Sequence, residues 1–201
     1  TLFNMIVNPA NGKVYVSNLE SNNTQRFEGA NNFAGAQTHP GPSVRGKIAF
    51  SRITVLDATG NVAPRHLNRH INCANCCATN PTGNATSVAF PLGMAITANG
   101  QTLYVAAIGS SKVAIYNTAQ LEDDTFVPNT ANQIPVSGGG PTGLVLDEHA
   151  NRLYVLTRFD NAIKIINPKT KAEIGRASMY SPEPAHIVNG RRFLYDASFS
   201  S

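Results

Sequence analysis

Short apolar runs, each ending at turn-forming residues, recur along most of the chain. Pro91 to Ile96, Thr102 to Ala106 and Lys112 to Tyr116 form one set of three. Pro141 to Leu146, Arg152 to Leu156 and Ala162 to Ile166 repeat it. In the third run of each set every second residue is apolar, Val113 and Ile115 in one copy, Ile163 and Ile165 in the other. A period of two places those side chains on one face of a half-buried strand. Ala172 to Met179 supplies a fourth strand. An earlier set opens with Phe3 to Val7 and Lys13 to Ser17, and its third member resumes only at Ser51, where SRITVLDATG parallels KVAIYNTAQ and AIKIINPKT.

Turn chemistry accounts for the spacing. ANGKVYVSN (10–18), ANGQTLYVAA (98–107), ANRLYVLT (150–157) and NGRRFLYDA (189–197) each place an Asn-led turn ahead of an aliphatic–Tyr or Tyr–Val pair. Asn and Gly tolerate the positive φ that tight hairpins require. Isolated loops would not be followed each time by the same strand.

Repeats of about 40–50 residues, each holding four short strands, are the mark of β-propeller blades, which bury their faces only against neighbours. The expected fold is therefore all-β, an incomplete propeller of about three four-stranded blades plus part of a fourth. Blade 1 is expected over about 3–63 with an insertion at 19–49, followed by a second insertion at 64–88. Blade 2 covers about 89–137, blade 3 about 138–181, and a partial blade 4 about 182–201, beginning with EPAHIVNGRRFLYDA. The phrases P-x-G-hydrophobic, N-G-x-x-x-Y-V and x-V-x-hydrophobic-[ND] resemble the YVTN-type β-propeller repeat family. Tyr15-Val16-Ser17-Asn18 is the nearest match, whereas Tyr104-Val105-Ala106-Ala107 and Tyr154-Val155-Leu156-Thr157 depart at the polar pair. A stand-alone β-sandwich is the competing architecture. Both termini fall in strand-like phrases, so a truncated or mature piece of a longer protein is expected.

Composition narrows the setting. Charged residues make up 14% of the chain, and polar uncharged residues are abundant, as suits a turn-rich β protein outside the cytoplasm. The net charge of +4 is scattered, with no basic stripe interleaved with aromatics, so nucleic acid is not an expected partner. No run approaches the roughly 18 apolar residues of a spanning helix.

The densest set of potential ligands is PRHLNRHINCANCCATN at 64–80, which offers His66, His70, Cys73, Cys76 and Cys77. Imidazole and thiolate together suit zinc or copper, and His66 and His70 would share a face if this stretch were a helical turn. A disulfide or inert thiols in an oxidising compartment is the simpler reading, and thiol redox chemistry is a third. Neighbouring cysteines bridge only with strain, which favours Cys73 or a residue elsewhere as a disulfide partner. The cluster lacks the C-x-x-C-H of covalent heme attachment. His186 is expected in an inner strand near a central channel, most simply as a hydrogen-bonded structural residue. Glu122-Asp123-Asp124 reads as a solvated loop, and GGGP at 138–141 as the turn leading into a blade, since no G-K-[ST] follows. Neither G-x-S-x-G nor H-E-x-x-H occurs, and no catalytic residue is assigned.

The phrase GRRFLYDASFSS (190–201), with NTQRFEG, RGKIAFSRITVLD and PRHLNRHI, resembles a family of bacterial propeller proteins in which a cytochrome c peroxidase-like domain follows the propeller. The resemblance implies a periplasmic or secreted, heme-bearing parent involved in electron transfer. Within it this portion would be a non-catalytic platform for a redox partner protein, the C-terminal cytochrome domain or a substrate. No cofactor is expected within the chain itself; heme c would lie beyond it, and a metal ion remains an option. Two alternatives stand beside this one: a propeller hydrolase or lactonase with a metal in the central channel, and an extracellular surface interaction module.

Overall fold

A computed structural model describes residues 1–23, 49–71 and 81–197. Its strands form three separate four-stranded antiparallel sheets, each ordered as the chain runs. The first sheet is β1 (Leu2–Val7), β2 (Val14–Ser21), β3 (Ala49–Leu56) and β4 (Val62–His66). The second is β5 (Pro91–Ile96), β6 (Thr102–Ala107), β7 (Lys112–Asn117) and β8 (Gln133–Pro135). The third is β9 (Pro141–Asp147), β10 (Arg152–Thr157), β11 (Ala162–Asn167) and β12 (Ala172–Ser178). Among the described residues three α-helices accompany the strands: α1 (Pro81–Thr86) and α2 (Thr118–Glu122) between strands, and α3 (Ala185–Tyr195) after the last.

The sheets stack on one another rather than joining edge to edge. β5 lies beside β1 on one side and β9 on the other, so the first strand of each sheet faces a shared interior. Two apolar layers fill the gaps. Tyr15, Ile53 and Val55 of the first sheet meet Met94, Leu103, Val105 and Tyr116 of the second. Tyr104, Val113 and Ile134 on the second sheet's far side meet Leu153, Val155 and Ile166 of the third. This is an open arc of three propeller blades, not a sandwich of two sheets around one core.

The repeated tyrosine explains the stacking. Tyr15 pairs with Val55, Tyr104 with Ile115 and Tyr154 with Ile165, each at the same place in its sheet. Period-two alternation therefore sends the tyrosine to one face and the flanking valines and leucines to the other. Tyr15 is fully buried and Tyr104 nearly so.

Two segments depart from the expected pattern. β4 runs on to His66, so Pro64, Arg65 and His66 belong to a blade strand rather than to the start of an insertion. Residues 185–195 form a helix, not the opening strand of a further blade. Ala185, Arg191, Arg192 and Leu194 are good helix formers, Pro184 suits a helix start, and a strand would require a neighbour to pair with.

Candidate functional site

In an up-and-down sheet the connections alternate between ends. The β1–β2, β5–β6 and β9–β10 turns and the third-to-fourth connections share one rim. The β2–β3, β6–β7 and β10–β11 connections and the links between blades share the other.

The first rim is stitched together by hydrogen bonds between blades. Asn8 Nδ2 donates to Gly100 O at 3.1 Å and to the Tyr15 hydroxyl at 2.8 Å. Glu122, ending α2, accepts from Tyr15 at 2.5 Å, from Asn11 at 2.9 Å and from Lys13 Nζ at 2.7 Å. Burial pulls the Glu122 carboxyl upward, but the bonds from Lys13, Tyr15 and Asn11 outweigh it and hold the group below the usual carboxylate range. Burial, and next the Glu122 bond, push the Tyr15 phenol above its ordinary value. Glu148 accepts from the Ala98 amide, joining the second blade to the third. Farther out, Arg65 donates to Leu121 O at 2.8 Å and pairs with Asp124 at 3.8 Å, while Arg69 also pairs with Asp124 and lies 4.2 Å over the Phe126 ring. The acidic run is thus a clasp between blades: Glu122 and Asp124 each bind partners on blade 1, which corrects its expected role as a solvated loop.

The second rim bears the far ends of β2 and β3 and the links between blades. Ser21 pairs with Ala49 there. The link from β4 to β5 is anchored nearby: Leu67 N donates to Ser51 O, Phe90 N to Ser51 Oγ and Ala89 N to Ser110 Oγ. Gly138, Gly139 and Gly140, all at positive φ, make the turn into β9 as expected. Their backbone passes close to Phe159 and Asp160, leaving no room for side chains there. Asp160 accepts from Lys164 Nζ at 2.7 Å and Thr157 Oγ1 at 2.5 Å, and Lys164 is fully buried. Helix α3 is tied to this rim. Arg191 donates to Phe159 O at 3.0 Å, Tyr195 packs on Phe159 with ring centroids 6.0 Å apart, and Ala197 N donates to Gly109 O at 2.7 Å. Beneath it Lys112 Nζ donates to Ala85 O at 2.6 Å and Gln133 Oε1 at 2.9 Å. Burial lowers the Lys112 ammonium from its usual range, with the Asp196 carboxylate working against that shift.

Between the rims β1, β5 and β9 enclose a central groove of about 310 Å³, lined by Phe3, Asn4, Leu92, Gly93, Met94, Thr142, Gly143 and Leu144. Gly93 permits it: a Cβ there would meet Thr142 O at 2.5 Å. The polar side chains of that lining are the Asn4 amide and the Thr142 hydroxyl.

Of the sequence-predicted site residues, His66, His70 and His186 lie among the described residues. His66 ends β4, its ring 4.6 Å from Phe50, and its Nδ1 accepts the Asn68 amide. His70 Nε2 donates to Gly83 O at 3.0 Å, and its Nδ1 is buried. The helical turn that would have placed both on one face does not form. Cys73, Cys76 and Cys77 lie outside the described residues. Among the described residues no three His, Cys, Asp or Glu side chains gather around a common point. His186 sits exposed in the first turn of α3, away from any inner strand, because its segment is helical. The Glu122 clasp and the buried Lys164 escaped sequence reasoning; their single signal, carboxylates near strand ends, fits most loops equally well.

The architecture defines the chain as part of a β-propeller. The hydrazine synthase of Kuenenia stuttgartiensis superposes with a TM-score of 0.54 at 18% identity, over 83% of this chain and 45% of that one. The RRP9 WD40 repeats superpose with a TM-score of 0.50 at 12% identity, over 90% of this chain and 39% of that one, and U3-55K does so with 0.50, 12%, 90% and 40%. This chain therefore spans less than half of the length of these structures. At such identities the likeness is one of fold. No family model matches the sequence, and no curated protein matches it either.

Proposed function

We propose that this chain is a non-catalytic propeller platform belonging to a periplasmic, c-type-heme-associated redox protein of the YVTN-like kind, and that it binds a partner or substrate on its second rim. The observation that carries the platform reading is the division of labour between the rims. One is consumed by bonds between blades through Asn8, Tyr15, Glu122 and Glu148. The other carries α3, whose Ile187, Phe193, Leu194 and Tyr195 are exposed. Exposed apolar side chains clustered on a rigid scaffold suit protein contact. The heme association rests on the resemblance of GRRFLYDASFSS and the blade 1 phrases to propellers followed by a cytochrome c peroxidase-like domain. The low charge content accords with a periplasmic site, and heme c would belong to sequence outside this chain. The hydrolase alternative gains no support from the amide and hydroxyl lining the central groove, since metal-assisted hydrolysis calls for convergent anionic or imidazole ligands. A surface interaction module would use the same rim without heme.

An absorption spectrum of the native gene product, isolated by an antibody to this chain, tests the reading. A Soret band with covalent heme supports it; an optically blank product leaves the surface module in its place. Exchanging Phe193 and Leu194 for Ser should weaken capture of the native partner while leaving the β-sheet circular dichroism unchanged.

A further inference from the structure

The middle blade, covered on both faces by its neighbours, is incomplete at its outer edge. In blades 1 and 3 the fourth strand reaches the end of the third: Leu56 pairs with Val62, and Asn167 with Ala172. In blade 2, β8 pairs only with Lys112, Val113 and Ala114 of β7, because the residues ahead of it, Thr130–Asn132, are coiled into a 3-10 turn. Two hydrogen bonds fix which main-chain groups of β7 face outward. Val136 N donates to Ser111 O on the β8 side, and Thr118 N donates to Gln101 O on the β6 side. Strand alternation between these points turns the amides of Val113, Ile115 and Asn117 outward. Val113 meets Ile134, whereas Ile115 and Asn117 lie past the end of β8, with no strand of the described residues opposite them. An open strand edge is a template for another strand.

A cleft of about 30 Å³, with room for about two waters, adjoins this edge. Val88, Ala114 and Phe126 give it an apolar floor, and no charged side chain lines it. Tyr116 also lines it and is only 7% exposed, yet its hydroxyl makes no hydrogen bond with the described residues. Buried tyrosine hydroxyls ordinarily find a partner. Burial pushes this phenol above its ordinary value, with no hydrogen bond to offset it. The side-chain amides of Gln120 and Asn132, likewise in the lining, are also unbonded among the described residues. Each amide carries a donor and an acceptor, the complement of a peptide group. We propose that the outer edge of blade 2 takes an extended, uncharged segment of a partner polypeptide, which lies along Ile115, Tyr116 and Asn117 as the missing length of the fourth strand and turns a small polar side chain toward the Tyr116 hydroxyl. The strand edge and the amides select main chain, the uncharged lining disfavours ions, and the cleft's size limits the inserted side chain. No described segment supplies this strand, since Phe126 and Asn132 already wall the cleft and β8 runs on toward β9. The site lies apart from the rim assigned to the partner above and is independent of the heme reading.

Amide hydrogen exchange on the full-length gene product tests it, with an acetylated and amidated Thr-Val-Ser-Val-Thr peptide as the probe. Peptide at ten times its dissociation constant should slow exchange at Ile115 and Asn117 about ten-fold. The same peptide N-methylated along its main chain keeps its side chains but cannot pair as a strand, and should slow neither. Tyr116→Phe should weaken peptide binding about five-fold, the share of one hydrogen bond, without lowering the urea midpoint, because the hydroxyl has no partner to lose in the free protein. Unchanged exchange in millimolar peptide overturns the proposal, as does equal protection by the methylated peptide. So does a Tyr116→Phe variant that binds as tightly as wild type. Protection of Ile115 and Asn117 before any peptide is added also overturns it, since the protein's own chain would then fill the edge.

Discussion

Replacing Glu122 with Gln removes the charge from the clasp between the first two blades while keeping its shape. The carboxylate is 10% exposed and accepts from Tyr15, Asn11 and Lys13 at 2.5, 2.9 and 2.7 Å. Hydrogen bonds to charged groups contribute about 1.5–3 kcal/mol apiece, but Lys13 is 35% exposed and its share is screened. The expected loss is therefore about 2–3 kcal/mol at neutral pH, close to the value of the Tyr15 bond together with a screened ion pair. The sign with pH follows from the lowered Glu122 value. The clasp is fully present above the unfolded carboxyl value of about 4.3 and is lost as pH falls through that value toward the lower folded one. Urea unfolding of wild type and E122Q at a series of pH values should show a stability gap that narrows on acidification. A double-mutant cycle with Tyr15→Phe should give a coupling of about 1 kcal/mol or more. A gap that holds constant from neutral to strongly acidic pH, or zero coupling to Tyr15, would refute the clasp.

Lys164→Ala should cost about 2–3 kcal/mol in thermal or urea unfolding, because it removes a fully buried cation and leaves Asp160 with Thr157 and the more exposed Arg176 as partners, and a Lys164→Met, Asp160→Asn double variant should lose less than the two single changes summed. Gly93→Ala should cost about 1–3 kcal/mol by forcing β5 away from β9, read as a lower urea midpoint. Gly190→Ala, at a helical position open to solvent, should instead stabilise α3 by up to about 1 kcal/mol and raise the helical signal; no gain would argue against a helix there.

The blades were legible because their signal is local and repeated. Val113, Ile115, Ile163 and Ile165 alternate as strands must, and the Asn-led turns fix where each hairpin reverses. The strand runs at 91–96, 102–107, 112–117 and their later copies follow that pattern closely. The segment at 185–197 misled because NGRRFLYDA matches the repeat phrase while its residues also favour helix. Strand formation depends on a neighbour, which a phrase does not encode. The clasp was illegible for a different reason. Glu122 and Tyr15 are 107 positions apart, and nothing in a stretch of acidic residues announces which distant cation will meet it. His66 shows the same limit: its place at the end of a strand, packed on Phe50, is set by a partner sixteen positions away.

Radial stacking of the sheets is the claim on which the rims and the groove both depend. Nuclear Overhauser contacts between the α-protons of Gly93 and Gly143 measure it directly, since these glycines belong to different sheets yet a Cβ on Gly93 would lie 3.0 Å from the Gly143 Cα. The stacked arc predicts a strong cross-peak joining β5 to β9. Its absence, with the first strands of the sheets far from one another, would contradict the account.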